Sequence, residues 1–283
     1  MSDITLTASM RANLVSLQST TELMGRTQER LATGKKVNSA VDNPTNYFAA
    51  REHNQRADLL NGLKDYISES IQTVKAADNG IKGITQAIEN LRSIVNQARN
   101  ALNDANSGTL LGGLATQYNE VIRQINNFQQ DASYKGVNFL TGSTTLTVNF
   151  NENATTSLTM NGFNAHASGL AISGGTATGV GTITSGDLDT VAELNAIETT
   201  LNSALATLRS KSSELAANLS VLTYRQEFIT NMVNTLRDGA TKLTVADTNE
   251  EGANMLMLQT RQQLGVTSLS LASQAAQSVL RLF

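Results

Sequence analysis

The sequence predicts a mainly α-helical fold: a long hairpin of coiled-coil helices with paired terminal helices and a small central β/loop elaboration. Two long stretches, residues 60–102 and 194–236, have apolar residues at alternating spacings of three and four. This spacing repeats every seven residues, which is the period of helices that pack along one another. Residues 141–190, between the two stretches, are dominated by Thr, Gly, Ser and Asn, so the helical pattern is interrupted in the middle of the chain.

Composition favours long helices over a compact enzyme. Aromatic residues make up 4% of the 283 residues, Trp is absent, and Pro44 is the single proline. The net charge of −3 argues against nucleic acid as a main partner. Residues 1–17 have no basic segment, continuous apolar core or cleavage site, so an ordinary secretory signal is not expected.

The first predicted helix begins near Met10 and ends at Gly34, a residue type that suits the left-handed end of a helix. Its 4–3 pattern runs through Met10, Leu14, Leu17, Thr21, Met24, Gln28 and Leu31. An ordinary surface helix is the alternative interpretation. The apolar helix at the other end of the chain favours a pair of terminal helices.

A polar connector, residues 35–46, leads to the strongest periodicity in the chain. Asn43 is expected to cap the next helix, with Pro44 at its first position. The apolar seam then continues over six heptads, about 65 Å of helix, at Leu60, Leu63, Ile67, Ser70, Val74, Ala77, Ile81, Ile84, Ile88, Leu91, Val95, Ala98 and Leu102. A seam of this length favours a rod over one helix of a compact bundle.

A shorter helix is predicted after the first rod. Residues 103–108 and the pair Gly112 and Gly113 interrupt the seam, which resumes at Leu114, Tyr118, Val121, Ile125 and Phe128. Short connections join antiparallel neighbours, so we expect this helix to fold back on the first rod.

The middle of the chain changes to a period of two. Leu146, Val148 and Phe150 alternate with Thr and Asn, which indicates a half-buried strand. We expect a small β-hairpin or a mobile surface loop here. The Gly-rich residues 173–181 match no phosphate-binding arrangement, because no helix with Lys followed by Ser or Thr comes after them.

A second rod is predicted to begin at Thr190, which has the spacing of a capping box with Glu193. Its seam comprises Leu194, Glu198, Leu201, Leu205, Leu208, Ser212, Leu215, Leu219, Leu222, Gln226, Ile229, Val233 and Leu236. Gly239 is expected to end this helix, and Asp247 with Glu250 is expected to cap the last one.

The last helix carries two apolar lines and no charge between Arg261 and Arg281. The first seam comprises Met255, Leu258, Gln262, Gly265, Leu269, Ala272, Ala276, Val279 and Phe283. The second stripe comprises Met257, Leu264, Leu271, Ala275 and Leu282. The helix is too polar to span a membrane, and a helix that is apolar on two faces needs several neighbours. We expect these neighbours to be copies of the same chain.

No catalytic site, cofactor or metal site is expected. The chain has no Cys, which excludes thiolate zinc sites. His53 and His166 are far apart in sequence, and neither begins a His-Glu-x-x-His motif. We expect His53 to be exposed.

Two motifs resemble those of bacterial flagellins. Residues 30–43, with the sequence RLATGKKVNSAVDN, are similar to the spoke segment that follows the first flagellin helix. Residues 253–275 and the final LRLF, residues 280–283, are similar to the C-terminal flagellin signature. The resemblance covers about residues 1–140 and 190–283. Residues 134–140 also resemble the start of a family hairpin, although Lys135 replaces the usual Asn before Gly.

The resemblance implies a structural subunit that self-polymerises into the flagellar filament for swimming motility. It implies export through the flagellar type III channel, an extracellular location, and contacts with an export chaperone, the filament cap and hook-junction proteins. The implied domains are an inner core (residues 1–42 with 243–283), a helical rod with a β-hairpin (residues 43–140 with 190–242) and a short surface region (residues 141–189). No enzymatic activity and no membrane insertion are implied.

The resemblance also assigns roles to particular residues. Self-assembly is assigned to Met10, Leu14, Leu17, Met24, Leu31, Leu258, Leu264, Leu269, Leu271, Ala272, Ala276, Val279, Leu282 and Phe283. The spoke motif comprises Arg30, Leu31, Gly34, Val37, Asn38, Asp42 and Asn43. The patch recognised by the innate immune flagellin receptor aligns with Asn90, Ile94 and Gln117, which depart from the Arg–Leu–Glu type, so we expect weak recognition.

Three alternative functions are also compatible with the sequence. A hook–filament junction protein would share both terminal segments. A secreted coiled-coil adhesin or ligand-binding module would be a stable monomer with protected terminal helices. An enzyme inserted in the central region would need a larger insertion and a catalytic constellation.

Overall fold

The computed structural model describes residues 8–104, 106–172 and 182–280, and the side chains of residues 279 and 280 are not described. The described residues are mainly helical, which confirms the predicted fold class. In chain order the elements are α1 (Ala8–Thr33), α2 (Pro44–Ala101), α3 (Ser107–Asp131), β1 (Thr145–Asn149), β2 (Ser157–Asn161), α4 (Val191–Thr244) and α5 (Thr248–Leu280). A short 3-10 helix, Ser185–Asp187, precedes α4.

The chain divides into two compact units. The terminal unit comprises residues 1–58 and 233–283, and the central unit comprises residues 59–232. Helices α2 and α4 contribute residues to both units. The three-domain division expected from the resemblance is a different grouping, and it stays a prediction.

Local capping signals place most helix ends where the sequence predicts them. Gly34 follows α1 with a φ of +67°, and Pro44 is the first residue of α2. The Asn43 side-chain oxygen accepts a hydrogen bond of 3.1 Å from the Asn46 backbone N–H. Ahead of α5, Asp247 Oδ1 accepts from the backbone N–H of Asn249 at 2.9 Å.

Glycine positions account for two wrong predictions. Helix α4 does not end at Gly239 but continues to Thr244, and Gly112 and Gly113 lie inside α3. A glycine inside a helix costs about 1 kcal/mol relative to Ala, which the burial of neighbouring side chains offsets. At Gly239 these neighbours are Leu236 and Ala240, both buried.

The central unit is built on the two predicted seams. Most seam residues of α2 and α4 are buried, including Ile67, Ile84, Leu91, Leu201 and Leu222. Three side-chain contacts show that the helices run antiparallel here: Gln226 Nε2 to Ser68 Oγ at 2.6 Å, Ser212 Oγ to Asp78 Oδ1 at 3.0 Å, and Arg99 Nη2 to Glu198 Oε2 at 2.9 Å.

Helix α3 folds back on α2, as predicted. Two glycines of α2 make the close approach possible, because a Cβ added at Gly80 would lie 2.5 Å from Ala132 Cβ. A Cβ added at Gly83 would lie 3.2 Å from Phe128 Cδ1. Gly80 thus meets Ala132, just after α3, and Gly83 meets Phe128 earlier in α3. Because residue numbers increase along α2 where they decrease along α3, the two helices are antiparallel.

The predicted strand is part of a two-stranded antiparallel hairpin. Val148 of β1 pairs with Leu158 of β2, and Leu146 pairs with Met160. Val148, Phe150 and Met160 are buried. The Gly-rich residues 173–181 lie outside the described residues.

Candidate self-assembly surface

Helices α1 and α5 pack against each other in antiparallel orientation. Arg30 Nη1 of α1 lies 2.9 Å from Glu251 Oε1 at the start of α5. Further along, Asn13 Nδ2 donates to Ser268 Oγ at 3.5 Å. The pairing of the terminal helices that the sequence predicts is therefore present within a single chain.

The first seam of α5 faces α1. Leu258 is buried, and the remaining described seam residues are half-buried, namely Met255, Gln262, Gly265, Leu269, Ala272 and Ala276. Val279 belongs to α5 but its side chain is not described, and Phe283 lies outside the described residues. The predicted line of residues thus coincides with the face that packs on α1.

The buried face of α1 differs from the predicted one. Met10 is buried, and Leu17, Met24 and Leu31 are half-buried, whereas Leu14 is 40% exposed. Thr21 and Gln28 are also exposed, and their places on the buried face are taken by Thr20 and Thr27.

Threonine can occupy a buried helical position when its hydroxyl is satisfied within the helix. Thr20 Oγ1 donates to the Ser16 carbonyl oxygen at 2.8 Å, which leaves its methyl group to pack. Met10, Leu17, Thr20, Met24 and Thr27 follow the heptad spacing. The sequence predicts this buried face only if threonine is treated as an apolar residue.

The second stripe of α5 is exposed to solvent. The exposed fractions are 58% for Met257, 66% for Leu264 and 62% for Leu271, and Ala275 is exposed as well. Leu282 lies outside the described residues. A line of large apolar side chains seven residues apart, all uncovered, is the pattern of a helix that packs against a further helix.

The spoke segment, residues 30–43, connects α1 to α2 through a compact turn. The backbone N–H of Lys36 donates to the Thr244 carbonyl oxygen at 2.7 Å, and that of Ala246 donates to the Gly34 carbonyl oxygen at 3.0 Å. Val37 is buried. These contacts join the turn after α1 to the turn between α4 and α5.

Asp42 closes the spoke segment on itself. Its Oδ2 accepts from the backbone N–H of Ser39 at 2.9 Å and of Asn38 at 3.0 Å. These backbone donors, that of Ser39 first, hold the pKa of the Asp42 carboxyl below its ordinary value, and the Ser39 hydroxyl and the Arg30 charge act in the same direction. Asn38 also donates through its side chain to Glu29 Oε1 at 3.1 Å.

The Arg30–Glu251 pair is the most buried ion pair described. The side chain of Glu251 is 6% exposed and that of Arg30 is 26% exposed. Glu251 Oε2 is buried and has no hydrogen-bond partner among the described residues. Glu251 therefore binds Arg30 of α1 through one carboxylate oxygen. Loss of either partner would leave the other charge unpaired in a mostly buried place.

The described residues contain no group of three or more His, Cys, Asp and Glu side chains that could hold a metal ion. His166 Nδ1 lies 2.8 Å from Ser168 Oγ, and His53 is half-buried in α2 rather than exposed as predicted. None of the helices in the described part of the chain is long and apolar enough to cross a bilayer.

Comparison with known proteins identifies the family. Residues 4–145 match the bacterial flagellin N-terminal helical region, and residues 197–283 match the bacterial flagellin C-terminal helical region. The chain belongs to the bacterial flagellin family. Flagellin is a structural protein and not an enzyme, and it self-assembles into the extracellular flagellar filament.

Relatives match along almost the whole length of this flagellin. Flagellin FljK of Caulobacter vibrioides is 28% identical, with 100% of this chain and 99% of the relative covered. A flagellin of Brucella melitensis is 27% identical, with the same coverage. The crystal structure of Bacillus cereus flagellin is 15% identical with a TM-score of 0.47, and covers 58% of this chain and 88% of that chain.

Proposed function

We propose that this flagellin polymerises by covering its second stripe with the terminal helices of neighbouring copies. The single observation that carries the proposal is the exposure of Met257, Leu264 and Leu271 along one side of α5, each more than half uncovered. Burying a large apolar side chain contributes about 1.5–3 kcal/mol. Burial of the second stripe between subunits would therefore contribute a large favourable free energy to assembly, which a single chain does not gain.

The uncharged surface of α5 supports the same assignment. From Gln262 to Leu280 the sequence contains no charged residue, so a neighbouring helix can approach any side of this segment without burying a charge. On α1, Leu14, Val15 and Leu23 add exposed apolar surface. We assign polymerisation to the self-assembly residues of α1 and α5 given above, including Val279, and to Leu282 and Phe283 further along the sequence.

The proposed domain arrangement follows from the two interhelical turns. The chain leaves helical structure after Thr33 and again after Thr244, and the two turns are hydrogen-bonded to each other. We place the inner core on the α1 and α5 side of these turns (residues 1–42 with 243–283). We assign residues 43–140 with 190–242 to the helical rod and residues 141–189 to the surface region.

Substitution of the second stripe tests the assembly role. The double variant Leu264→Glu, Leu271→Glu should fold as a helical monomer, because both side chains are already exposed, and should fail to form filaments in electron micrographs. Leu110→Glu is the matched control, since Leu110 is a 45% exposed leucine of α3. Filaments of normal yield from the double variant would refute the assignment, and so would loss of filaments in the control alone.

Deletion of residues 269–283 is a second test of the same surface. The truncated chain should remain soluble and helical but should not polymerise, since three of the five residues of the second stripe are removed. Filaments grown from the truncated chain would contradict the proposal.

We further infer that the flagellar export chaperone, the filament cap and the hook-junction proteins are partners of the terminal helices. The support is that the second stripe is uncovered in a single chain and must be covered before and during assembly. The chaperone should bind the full chain and should not bind the chain truncated after residue 268. Equal binding of both chains in a calorimetric titration would argue against this partner site.

A further inference from the structure

We propose that two copies of this flagellin join through their central units, with an aromatic knob of one copy seated in a groove of the next. The knob comprises Val221, Tyr224 and Phe228 of α4. The groove is lined by Tyr66, Thr73, Tyr134, Lys135, Val137 and Leu146. The inference rests on the self-assembly of the family and not on the second stripe of α5.

The knob is a line of large apolar side chains that α4 leaves uncovered. The exposed fractions are 39% for Val221, 71% for Tyr224 and 54% for Phe228. Their spacings of three and four residues place them on one face of the helix. Gln226, whose Nε2 donates to Ser68 Oγ of α2 at 2.6 Å, lies about 160° around α4 from both Tyr224 and Phe228. The knob therefore points away from α2.

The groove lies between α2 and the segment that follows α3. Tyr66 and Thr73 of α2 form one wall, and Tyr134 and Val137 of the turn after α3 form the other. Leu146 of β1 adds a further apolar side chain. The enclosed volume is about 280 Å³, and most of the lining is apolar, so the groove has the size and chemistry to take one aromatic side chain.

The knob and the groove lie at the same level of the central unit but on opposite sides. Ser68, between Tyr66 and Thr73 in sequence, contacts Gln226, the central residue of the knob segment. Asp78 contacts α4 as well, through Ser212. At 100° per residue, Tyr66 and Thr73 lie about 120–160° around α2 from the residues that contact α4. A copy displaced sideways thus presents its knob to the groove of its neighbour.

This arrangement identifies a second copy of the same chain as the occupant of the groove. A contact between two different surfaces of identical subunits is heterologous, and it repeats into an open helical filament when the rotation does not close a ring. A surface that met itself would instead close a dimer. The family self-assembles into a filament, which is the assembly that a heterologous contact builds.

The charges at the edges of the two surfaces are compatible with the contact. Lys135, at the edge of the groove, has an exposed side chain that forms an ion pair of 2.8 Å with Glu69. Its Nζ also lies 5.8 Å from the centre of the Tyr134 ring. Glu227 is exposed beside Tyr224, so the knob brings a carboxylate towards this ammonium group. Neither surface places a like charge in the apolar centre of the contact.

Cross-linking of assembled filaments tests which surfaces meet. The chain has no Cys, so introduced cysteines report a single contact. Filaments of the double variant Val137→Cys, Tyr224→Cys, treated with a short bismaleimide, should give a ladder of dimers, trimers and longer species on a denaturing gel. Filaments of either single variant should remain monomeric on the gel, and mixed filaments of the two single variants should stop at dimers. The control is Val191→Cys with Tyr224→Cys, because Val191 is exposed at the opposite end of α4, and it should remain monomeric.

Removal of the knob tests its contribution to assembly. The double variant Tyr224→Ser, Phe228→Ser should keep the helical central unit, since both side chains are exposed. The monomer concentration left at equilibrium with filaments should rise about tenfold, because two large apolar side chains no longer leave water on assembly. Val191→Ser removes an exposed apolar side chain of the same helix outside the knob and should leave that concentration unchanged.

Three results would overturn the inference. They are filaments of the double cysteine variant that do not cross-link, a single cysteine variant that cross-links by itself, and an unchanged monomer concentration in Tyr224→Ser, Phe228→Ser. The test is independent of the proposed function, because the second stripe is intact in all these variants. Normal filaments from Leu264→Glu, Leu271→Glu would refute the role of the second stripe and leave the knob and groove contact standing.

Discussion

The side chain of Leu17 on α1 occupies the space that a side chain at Gly265 on α5 would need. A Cβ added at Gly265 would lie 2.7 Å from Leu17 Cδ2 and 3.0 Å from Leu17 Cγ. Contacts this short require Leu17 or the α5 backbone to move. The glycine therefore lets the two terminal helices approach closely at this level and fixes which residues of α1 meet which residues of α5.

Gly265→Ala should weaken the pairing of α1 with α5. Overpacking costs about 1–3 kcal/mol, from which the better helix propensity of Ala subtracts about 1 kcal/mol, so we expect a net loss of about 1 kcal/mol. Hydrogen exchange of α5 amides in assembled filaments measures the opening free energy. Gly25→Ala, where nothing lies within 4 Å of the added Cβ, should instead increase α1 protection. Adding Leu17→Ala to Gly265→Ala should relieve the overpacking, and additive effects of the two substitutions would contradict this explanation.

Removal of Arg30 should destabilise the terminal unit more than removal of an exposed arginine. Arg30→Met leaves the Glu251 carboxylate buried without its partner, at a cost of about 3 kcal/mol in the free energy of unfolding. Arg237→Met is the control, because Arg237 and Asp58 form a pair whose side chains are 54% and 73% exposed. The control should cost less than about 1 kcal/mol. Urea unfolding measures the free energy of unfolding of both variants. The double variant Arg30→Met, Glu251→Leu should recover most of the stability that Arg30→Met loses.

The spoke segment should lose stability in acid. Because the folded-state pKa of Asp42 lies below its value in the unfolded chain, the stabilising contribution is fully present above the unfolded value, near pH 3.9. It is lost as the pH falls through the folded value. The amide signals of Asn38 and Ser39 should titrate with a midpoint below that of an unfolded Asp. Asp42→Asn keeps an acceptor oxygen but should abolish this titration, and a midpoint at the unfolded value in the native chain would disprove the prediction.

Tyr118→Phe should stabilise the central unit. The Tyr118 hydroxyl is buried in α3 and finds no hydrogen-bond partner among the described residues, and burial raises its pKa. Removing an unsatisfied buried hydroxyl should raise the free energy of unfolding by about 1 kcal/mol. Thermal unfolding, monitored by circular dichroism, shows whether the substitution raises or lowers the stability. Tyr118→Leu, which also removes ring volume, should be destabilising, and a loss of stability in Tyr118→Phe would show that the hydroxyl is satisfied in solution.

Local sequence signals determined the helix boundaries that depend on a few adjacent residues. Asn43 and Pro44 begin α2, Thr190 and Glu193 form the capping interaction before α4, and Asp247 caps α5. These signals are reliable because a capping side chain bonds backbone groups two or three positions away. The heptad seams of α2, α4 and α5 could also be predicted from the sequence, because a seam is recognised from the spacing of apolar residues alone.

Tertiary structure decided the features that depend on residues far apart in the chain. The α1 face that packs on α5 includes Thr20 and Thr27, and Glu251 meets Arg30 across 221 positions of sequence. Lys135 adopts a left-handed conformation with a φ of +48° in a tight turn, and its side chain forms an ion pair of 2.8 Å with Glu69. A periodic pattern shows that a helix has an apolar side. Which borderline residues are buried, and which glycines are tolerated, depends on the shape of the partner that covers that side.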